Sequence, residues 1–356
     1  MKIIHAADLH LGSKIEAKLK DISEERKAEV RNSFLRLAKY AHENDIHVIL
    51  LSGDVFDSDR PFKKDKDTFY SVIKQYPDID FLYLRGNHDT EEKNEDVYPN
   101  LKTFSEEWRT YSYGNVDITG LELGPNNSTS FYSTLSLNPE HINIVMLHGT
   151  LSDSVGLEKI KLSNLKNKNI DYLALGHIHS FEDGEIDKRG HYAYSGCLEG
   201  RGFDETGEKG FVLLDINEDK LSYSFHPFCE RVIREINVDV SSLNNIPSII
   251  AKVEKEVSFN SKDIYRINLI GDVPFDSSFS AKDIESYLKN DAYFVNVKDK
   301  TMPLIEPKKY ENDLSLKGEF VRGVYANTEL SEEDKKRIVA LGLKALEGRE
   351  LDLWSY

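Results

Sequence analysis

Five short apolar runs mark the first half of the chain: Ile3-Ile4, Val48-Ile49-Leu50-Leu51, Phe81-Leu82-Tyr83-Leu84, Ile144-Val145-Met146-Leu147 and Tyr172-Leu173-Ala174-Leu175. Each reads as a buried strand of an α/β layer fold. Between the first two, Val30, Phe34, Leu37 and Ala41 fall at helical spacing, which predicts an amphipathic helix. Asp21 and Glu24 offer a capping box for its start. A second helix is predicted over 67–75, so strand–helix–strand order repeats and implies right-handed βαβ units. After Asn115 strand follows strand, and 211–215 with 220–225, separated by Asn217-Glu218-Asp219, predict a hairpin. A second block begins near Cys229: strand over 231–240, helix 247–257, strand 263–270, helix 281–289 and strand 292–297. The stretch 302–313, with two Pro and mixed charge, reads as a linker. A final amphipathic helix is expected over 330–346, with Ile338, Leu341 and Ala345 on one side.

The residues at the carboxyl end of each apolar run carry metal-ligand chemistry. In order the segments are Asp8-Leu9-His10, Gly53-Asp54-Val55-Phe56-Asp57, Gly86-Asn87-His88-Asp89, His148-Gly149 and Gly176-His177-Ile178-His179. The carboxyl ends of such strands form the ligand-binding rim of an α/β fold, so this pattern brings Asp, Asn and His side chains together. That combination predicts a dinuclear metal site. Carboxylate and imidazole ligands without thiolate suit Mn²⁺, Fe²⁺ or Zn²⁺. Asp54, central in the series, is the natural bridge between two cations, and Asn87 is a weak neutral ligand that keeps its metal electrophilic. Two metals about 3.5–4 Å apart can clamp both oxygens of an in-line phosphoryl displacement. Gly53, Gly86 and Gly176, directly before ligands, are expected to let the rim backbone approach the metals. His5, His42, His47, His141, His191 and His226 lie outside these segments and are assigned ordinary structural roles.

The five segments resemble the signature of the calcineurin-like metallophosphoesterases: D-x-H, G-D-x-x-D, G-N-H-[DE], a lone His, and G-H-x-H. Asp8-Leu9-His10-Leu11-Gly12, Gly53 to Asp57 and the run Ser195-Gly196-Cys197-Leu198-Glu199-Gly200-Arg201-Gly202-Phe203-Asp204-Glu205 are similar to the nuclease subunit of the bacterial SbcCD double-strand-break complex and its YhaO-like relatives. The resemblance implies a two-sheet α/β/β/α sandwich over 1–228, a small α+β capping domain over 229–301, and a linker and C-terminal helical segment over 302–356. It implies Asp8, His10, Asp54 and His179 on one metal, and Asp54, Asn87, His148 and His177 on the other. His88 would stand beside the scissile phosphate as acid or charge stabiliser, supported by Asp89. Archaeal and eukaryotic relatives carry a His where this chain has Asp57, so a role for that His does not transfer. The implied cofactors are two divalent ions, Mn²⁺ foremost, with Fe²⁺, Mg²⁺ or Zn²⁺ as substitutes. The implied partners are DNA ends or single strands and a coiled-coil ATPase of the SMC type. Docking of that ATPase is expected on the C-terminal helix, and a homodimer is expected through 67–76.

Composition limits the functional reading. Cys197 and Cys229 are too few for a disulfide framework, which points to a reducing cytoplasm. Met1 leads directly into a core strand with no secretory signal, and no apolar run approaches bilayer length. A formal charge of −16 argues against tight autonomous DNA binding and fits a subunit that takes affinity from a partner. Candidate basic stretches are Arg60-Pro61-Phe62-Lys63-Lys64, the 159–168 segment and Lys188-Arg189. Three functions fit: a metal-dependent DNA nuclease, a phosphodiesterase or phosphatase for a small molecule or phosphoprotein, and a mainly structural module for DNA ends or the ATPase. The intact ligand set disfavours the third; the added C-terminal elements favour the first over the second.

Overall fold

The computed structural model describes residues 1–346 except 59, 90–97, 219, 275–276 and 278. The chain forms two compact units, Met1–Ile233 and Arg234–Tyr356.

The first unit is built on two six-stranded sheets. In one, the strands Lys2–Ala6, Val48–Ser52, Asp80–Leu84 and Leu101–Thr103 run in parallel. The hairpin Gly210–Asn217 and Lys220–Pro227 is added antiparallel beside Lys2–Ala6. In the other, Tyr172–Gly176 lies between His191–Tyr194 and Ile142–His148, which in turn runs parallel to Val116–Gly120. Strand alternation sorts the side chains into layers. Ile3, Val48, Leu50 and Leu82 meet Ile144, Met146 and Ala174 between the sheets. Ile4, Ile49, Leu51 and Phe81 pack instead against Phe34, Leu37, Ala41, Phe69 and Val72 of two helices, Ser23–Glu43 and Lys63–Gln75. Each fully buried Leu, Ile or Phe contributes about 1.5–3 kcal/mol. The far side of the second sheet is covered by one helical turn, Phe131–Thr134, and a 3₁₀ turn, Leu162–Asn164, whose neighbours Phe131, Leu135 and Leu165 bury Val145 and Leu173.

The predicted capping box does not form. A 3₁₀ turn, Ala17–Ile22, runs directly into the first long helix, so Asp21 sits inside a turn rather than at a cap. Glu24 pairs with Lys27 instead, at 2.8 Å.

In the second unit the strands Ile233–Asp239, Ile264–Ile270 and Phe294–Asp299 form one sheet. The helices Ile246–Glu256 and Ala281–Leu288 bury Ile249, Val253, Ile284 and Leu288 against Val238, Tyr265, Ile267 and Val295. Asn245 and Ser280 cap these helices by accepting the Ser248 and Asp283 amides. The predicted alternation of strand and helix is therefore present. The stretch expected as a linker is more structured than that: Met302–Leu304 pairs in parallel with Asp272–Pro274. A helix not anticipated from the sequence, Leu316–Ala326, packs Val321 against Val339 and Leu343 of the last helix, Glu332–Leu346. The expected apolar side of that last helix faces outward: Ile338 is 37% exposed, Ala345 is exposed and Leu341 is half-buried. Residues 347–356 of the expected C-terminal segment lie outside the described residues.

Candidate metal centre

The five motifs end neighbouring strands of the two sheets, and short backbone hydrogen bonds lock the first two together. The amides of Asp8, His10 and Leu11 donate to the carbonyls of Gly53, Asp54 and Val55 at 2.9, 3.0 and 2.8 Å. Turning sharply off the strands places Asp8, His10, Asp54 and His177 at φ of 52°, 44°, 50° and 104°. Such backbone costs about 1–3 kcal/mol per residue and persists where surrounding structure enforces it, often at functional sites. Gly53, at φ 93°, takes the same turn without strain. A side chain at Gly53, Gly86 or Gly176 would overlap His148, Asp54 or the Ser52 carbonyl respectively, so all three glycines give up space to the site.

Two groups of ligand atoms result, Asp8 with His10 and His179, and Asp54 with His148 and His177; within each, the atoms lie within 4.8 Å of one another. Asp54 connects the groups. Its Oδ2 is 3.4 Å from His148 Nε2 and 3.9 Å from His10 Nε2, while its Oδ1 accepts the His88 amide at 3.0 Å. Asn87 Oδ1 is 3.1 Å from His148 Nε2 and so joins the second group. Both oxygens of the buried Asp8 accept the His177 amide at 3.0 Å. All seven residues predicted as ligands are therefore brought together.

The donor geometry fits metal ions. His10 Nε2 and His179 Nε2 approach to 3.1 Å, a spacing natural for two nitrogens each about 2.0–2.1 Å from one cation. Burial pushes the Asp8 carboxyl up to about 7, a bias toward the protonated form that a divalent cation would oppose. Burial opposes ionisation of Asp54 as well, but its contacts with His148 win and hold it well below the usual carboxylate range. The pair answers in kind: burial disfavours a charged His148, yet Asp54 and Asp8 raise it to about 9.

The neighbouring groups fix which nitrogen each ring presents. His148 Nδ1 is 2.9 Å from the Ser52 carbonyl and His179 Nδ1 is 2.7 Å from Glu205 Oε1, leaving Nε2 of both rings aimed inward. Asp57 Oδ1 lies 3.2 Å from His10 Nδ1. Sequence reasoning assigned no role to Ser52, Asp57 or Glu205. Their only signal was position inside or beside the quoted motifs. His88 is exposed at the mouth, its ring 5.5 Å from that of His10, with Nδ1 3.1 Å from the Asp57 carbonyl. Asp89, expected to orient or electrostatically support His88, is engaged with the backbone. Its carboxylate turns inward to accept the amides of Val55, Phe56 and Gly86 at 3.2, 2.9 and 3.0 Å, tying two motif loops together. Among the six remaining histidines, His5 contacts Tyr172, His42 contacts Asp78, His47 contacts Asp45, His141 contacts Asp117 and His226 stacks on Phe211.

Comparison with known proteins agrees with this geometry. Residues 1–181 match the calcineurin-like phosphoesterase family. The chain is homologous to the DNA double-strand break repair protein Mre11 of Sulfolobus acidocaldarius, with 25% identity over 388 aligned positions covering 98% of this chain and all of that protein. It is also homologous to the uncharacterized metallophosphoesterase YhaO of Bacillus subtilis, with 28% identity covering 72% of this chain and 68% of that one. Among solved structures, a dimetal phosphatase from Danio rerio aligns with a TM-score of 0.42 at 12% identity, covering 63% of this chain and 95% of that one. The chain belongs to the calcineurin-like phosphoesterases and is a metal-dependent phosphodiester hydrolase with a dinuclear divalent metal centre.

Proposed function

We propose that this protein is a dinuclear metal-dependent DNA nuclease, exonuclease and endonuclease, acting in double-strand-break repair. The observation that carries the reading is the end-to-end match to a named double-strand break repair protein, which extends through the second unit and well past the phosphoesterase match at 181. In this reading Asp8, His10, Asp54 and His179 hold one ion, and Asp54, Asn87, His148 and His177 the other, with Asp54 shared. Mn²⁺ is the proposed ion, since oxygen and imidazole donors without thiolate suit it. Ions held there would supply Lewis acidity toward the phosphodiester. The chain supplies the rest. The carbonyl and carboxylate contacts to Nδ1 of His148 and His179 keep Nε2 directed at the ions. His88, exposed and anchored through Nδ1 to the Asp57 carbonyl, presents Nε2 to the scissile group, where it stabilises charge or protonates the departing oxygen.

Residues 1–228 would carry the chemistry, and 229–301 would be the small α+β domain that the family resemblance implies. The acidity of the chain supports reliance on a partner for DNA affinity, and the family resemblance makes that partner an SMC-type ATPase. Residence in the cytoplasm is proposed from two unpaired cysteines; no helix among the described residues is long and apolar enough to cross a membrane. A homodimer through 67–76 has less support, because Phe69, Val72 and Ile73 are buried on the chain's own sheet and Asp67, Ser71, Lys74 and Gln75 face outward. The second reading, a phosphatase or small-molecule phosphodiesterase, uses the same seven side chains.

The deciding experiment incubates the full chain and Mn²⁺ with labelled linear and single-stranded DNA, beside bis-p-nitrophenyl phosphate and p-nitrophenyl phosphate. Cleavage of DNA and of the diester, with little turnover of the monoester, is expected. Turnover of the monoester without DNA cleavage would replace the nuclease reading with the phosphatase one.

A further inference from the structure

Beneath the Asp8–His10–His179 group sits a guanidinium that the proposed chemistry does not use. Arg201 is 15% exposed and lies between two carboxylates. Its Nη1 donates to Asp57 Oδ1 at 3.2 Å. Its Nε is 3.1 Å from both oxygens of Glu205, Nη2 donates to the same carboxylate and lies 3.0 Å from His179 Nδ1, and its backbone amide donates to Glu205 Oε2 at 2.8 Å. Those two carboxylates are the ones beside the Nδ1 atoms of His10 and His179. The Arg201 main chain is itself clamped, its carbonyl accepting the Glu16 amide at 3.1 Å.

We propose that Arg201 is a positioning residue for one metal site only: through Asp57 it stands against the His10 ring, and it holds the His179 ring both directly through Nη2 and through Glu205. Contacts at Nδ1 fix a ring so that Nε2 is the nitrogen turned to an ion: Arg201 Nη2 and Glu205 Oε1 lie 3.0 and 2.7 Å from His179 Nδ1, and Asp57 Oδ1 stands 3.2 Å from His10 Nδ1. A planar guanidinium fork spans the buried Glu205 carboxylate and the partly exposed Asp57 carboxylate with fixed geometry, which a lysine ammonium cannot do. The second group is built otherwise, since His148 Nδ1 is held by the Ser52 main-chain carbonyl. One side chain thus bears on both imidazoles of the first group, through Asp57 for His10 and through Glu205 and its own Nη2 for His179. Asp57 supplies Arg201 with a second carboxylate acceptor besides Glu205.

The inference rests on the dinuclear reading, and metal binding tests the two separately. Chelator-stripped full chain is titrated with Mn²⁺ alone, with bound ion followed by electron paramagnetic resonance and stoichiometry by elemental analysis. Wild type is expected to bind two ions per chain; fewer than two would defeat the dinuclear reading itself. In Arg201→Lys one ion should bind with wild-type affinity and the other about 10–100-fold more weakly. Asp57→Asn and Glu205→Gln should weaken the same ion, and Lys188→Ala neither. Adding guanidinium ion to Arg201→Ala should restore part of the lost affinity, which a general loss of structure would not allow. Two undisturbed ions in Arg201→Lys, or equal weakening of both, would overturn the proposal. Should the Arg201 variants unfold by circular dichroism, the Asp57→Asn titration decides alone: no selective loss there sinks it.

Discussion

Asp54 gives its two oxygens different tasks, one to the His88 amide and one to the imidazoles of both metal groups. Asp54→Ala should therefore abolish turnover and sharply reduce metal content; two ions per chain retained by elemental analysis would remove the bridge. His88 touches the site from outside, so His88→Ala should lower the rate by roughly 10²–10⁴-fold with both ions kept. Near-normal DNA cleavage by that variant would take His88 out of the mechanism. A different histidine sets acid sensitivity. His5 is fully buried against Tyr172, and burial lowers its pKa from 6.5 to about 3. Because the folded state refuses the proton that the unfolded chain accepts, this contribution is complete above pH 6.5 and is lost as pH falls toward 3. Urea unfolding of wild type and His5→Gln should show their stability difference shifting against wild type by about 2 kcal/mol between pH 7 and pH 5, at about 1.4 kcal/mol per unit. A constant difference would mean His5 is not held neutral. The seven proposed ligands were legible because each is a chemically distinctive residue at a strand end. Asp57, Arg201 and Glu205 were not: they are ordinary charged residues until folding closes the 144-residue separation between Asp57 and Arg201.

At the scale of elements, strand ends carry the site and glycines make room for it. Gly53→Ala combines a left-handed φ of 93° with overlap of the His148 ring, so it should cost on the order of 2 kcal/mol or more and displace a ligand. Thermal denaturation with and without Mn²⁺ reads both effects: the variant should melt earlier and gain less from the ion. An unchanged Mn²⁺-dependent rise in Tm would show that His148 keeps its place. The five apolar runs became strands because unbroken Val, Ile and Leu suit a layer buried on both sides. The hairpin at 210–227 was equally plain from its alternation and turn. What escaped was set by tertiary context. Met302–Leu304 has only three residues and a proline, and it becomes a strand by meeting Asp272–Pro274. The Leu316–Ala326 helix buries little of itself, Gly318 and Val321, so its periodicity carried no strong apolar stripe.

At the scale of the whole molecule, a net charge of −16 has to be reconciled with a polyanionic substrate. In the proposed reading, delegating DNA affinity to an ATPase would resolve the conflict, and the last helix is where that partner is proposed to dock. Its two faces have separate uses. Val339, Ala340 and Leu343 are buried, with Val339 and Leu343 joining Val321 and Ile305 in a small core. Deleting the helix would strip that core as well as any docking face, so truncation cannot separate the two roles. Ile338, Leu341 and Ala345 lie outside the core, spaced by three and four positions as in a helix laid into an apolar groove. Ile338→Glu with Leu341→Glu adds charge on that outward face and leaves Val339 and Leu343 in place. The double variant should keep the wild-type Tm and hydrolyse bis-p-nitrophenyl phosphate normally while failing to co-purify the ATPase. Full ATPase recovery with the double variant would move the docking site elsewhere on the chain. Conversely, Val339→Ala should lower Tm by the loss of a buried core contact and leave capture of the ATPase by the folded fraction unchanged.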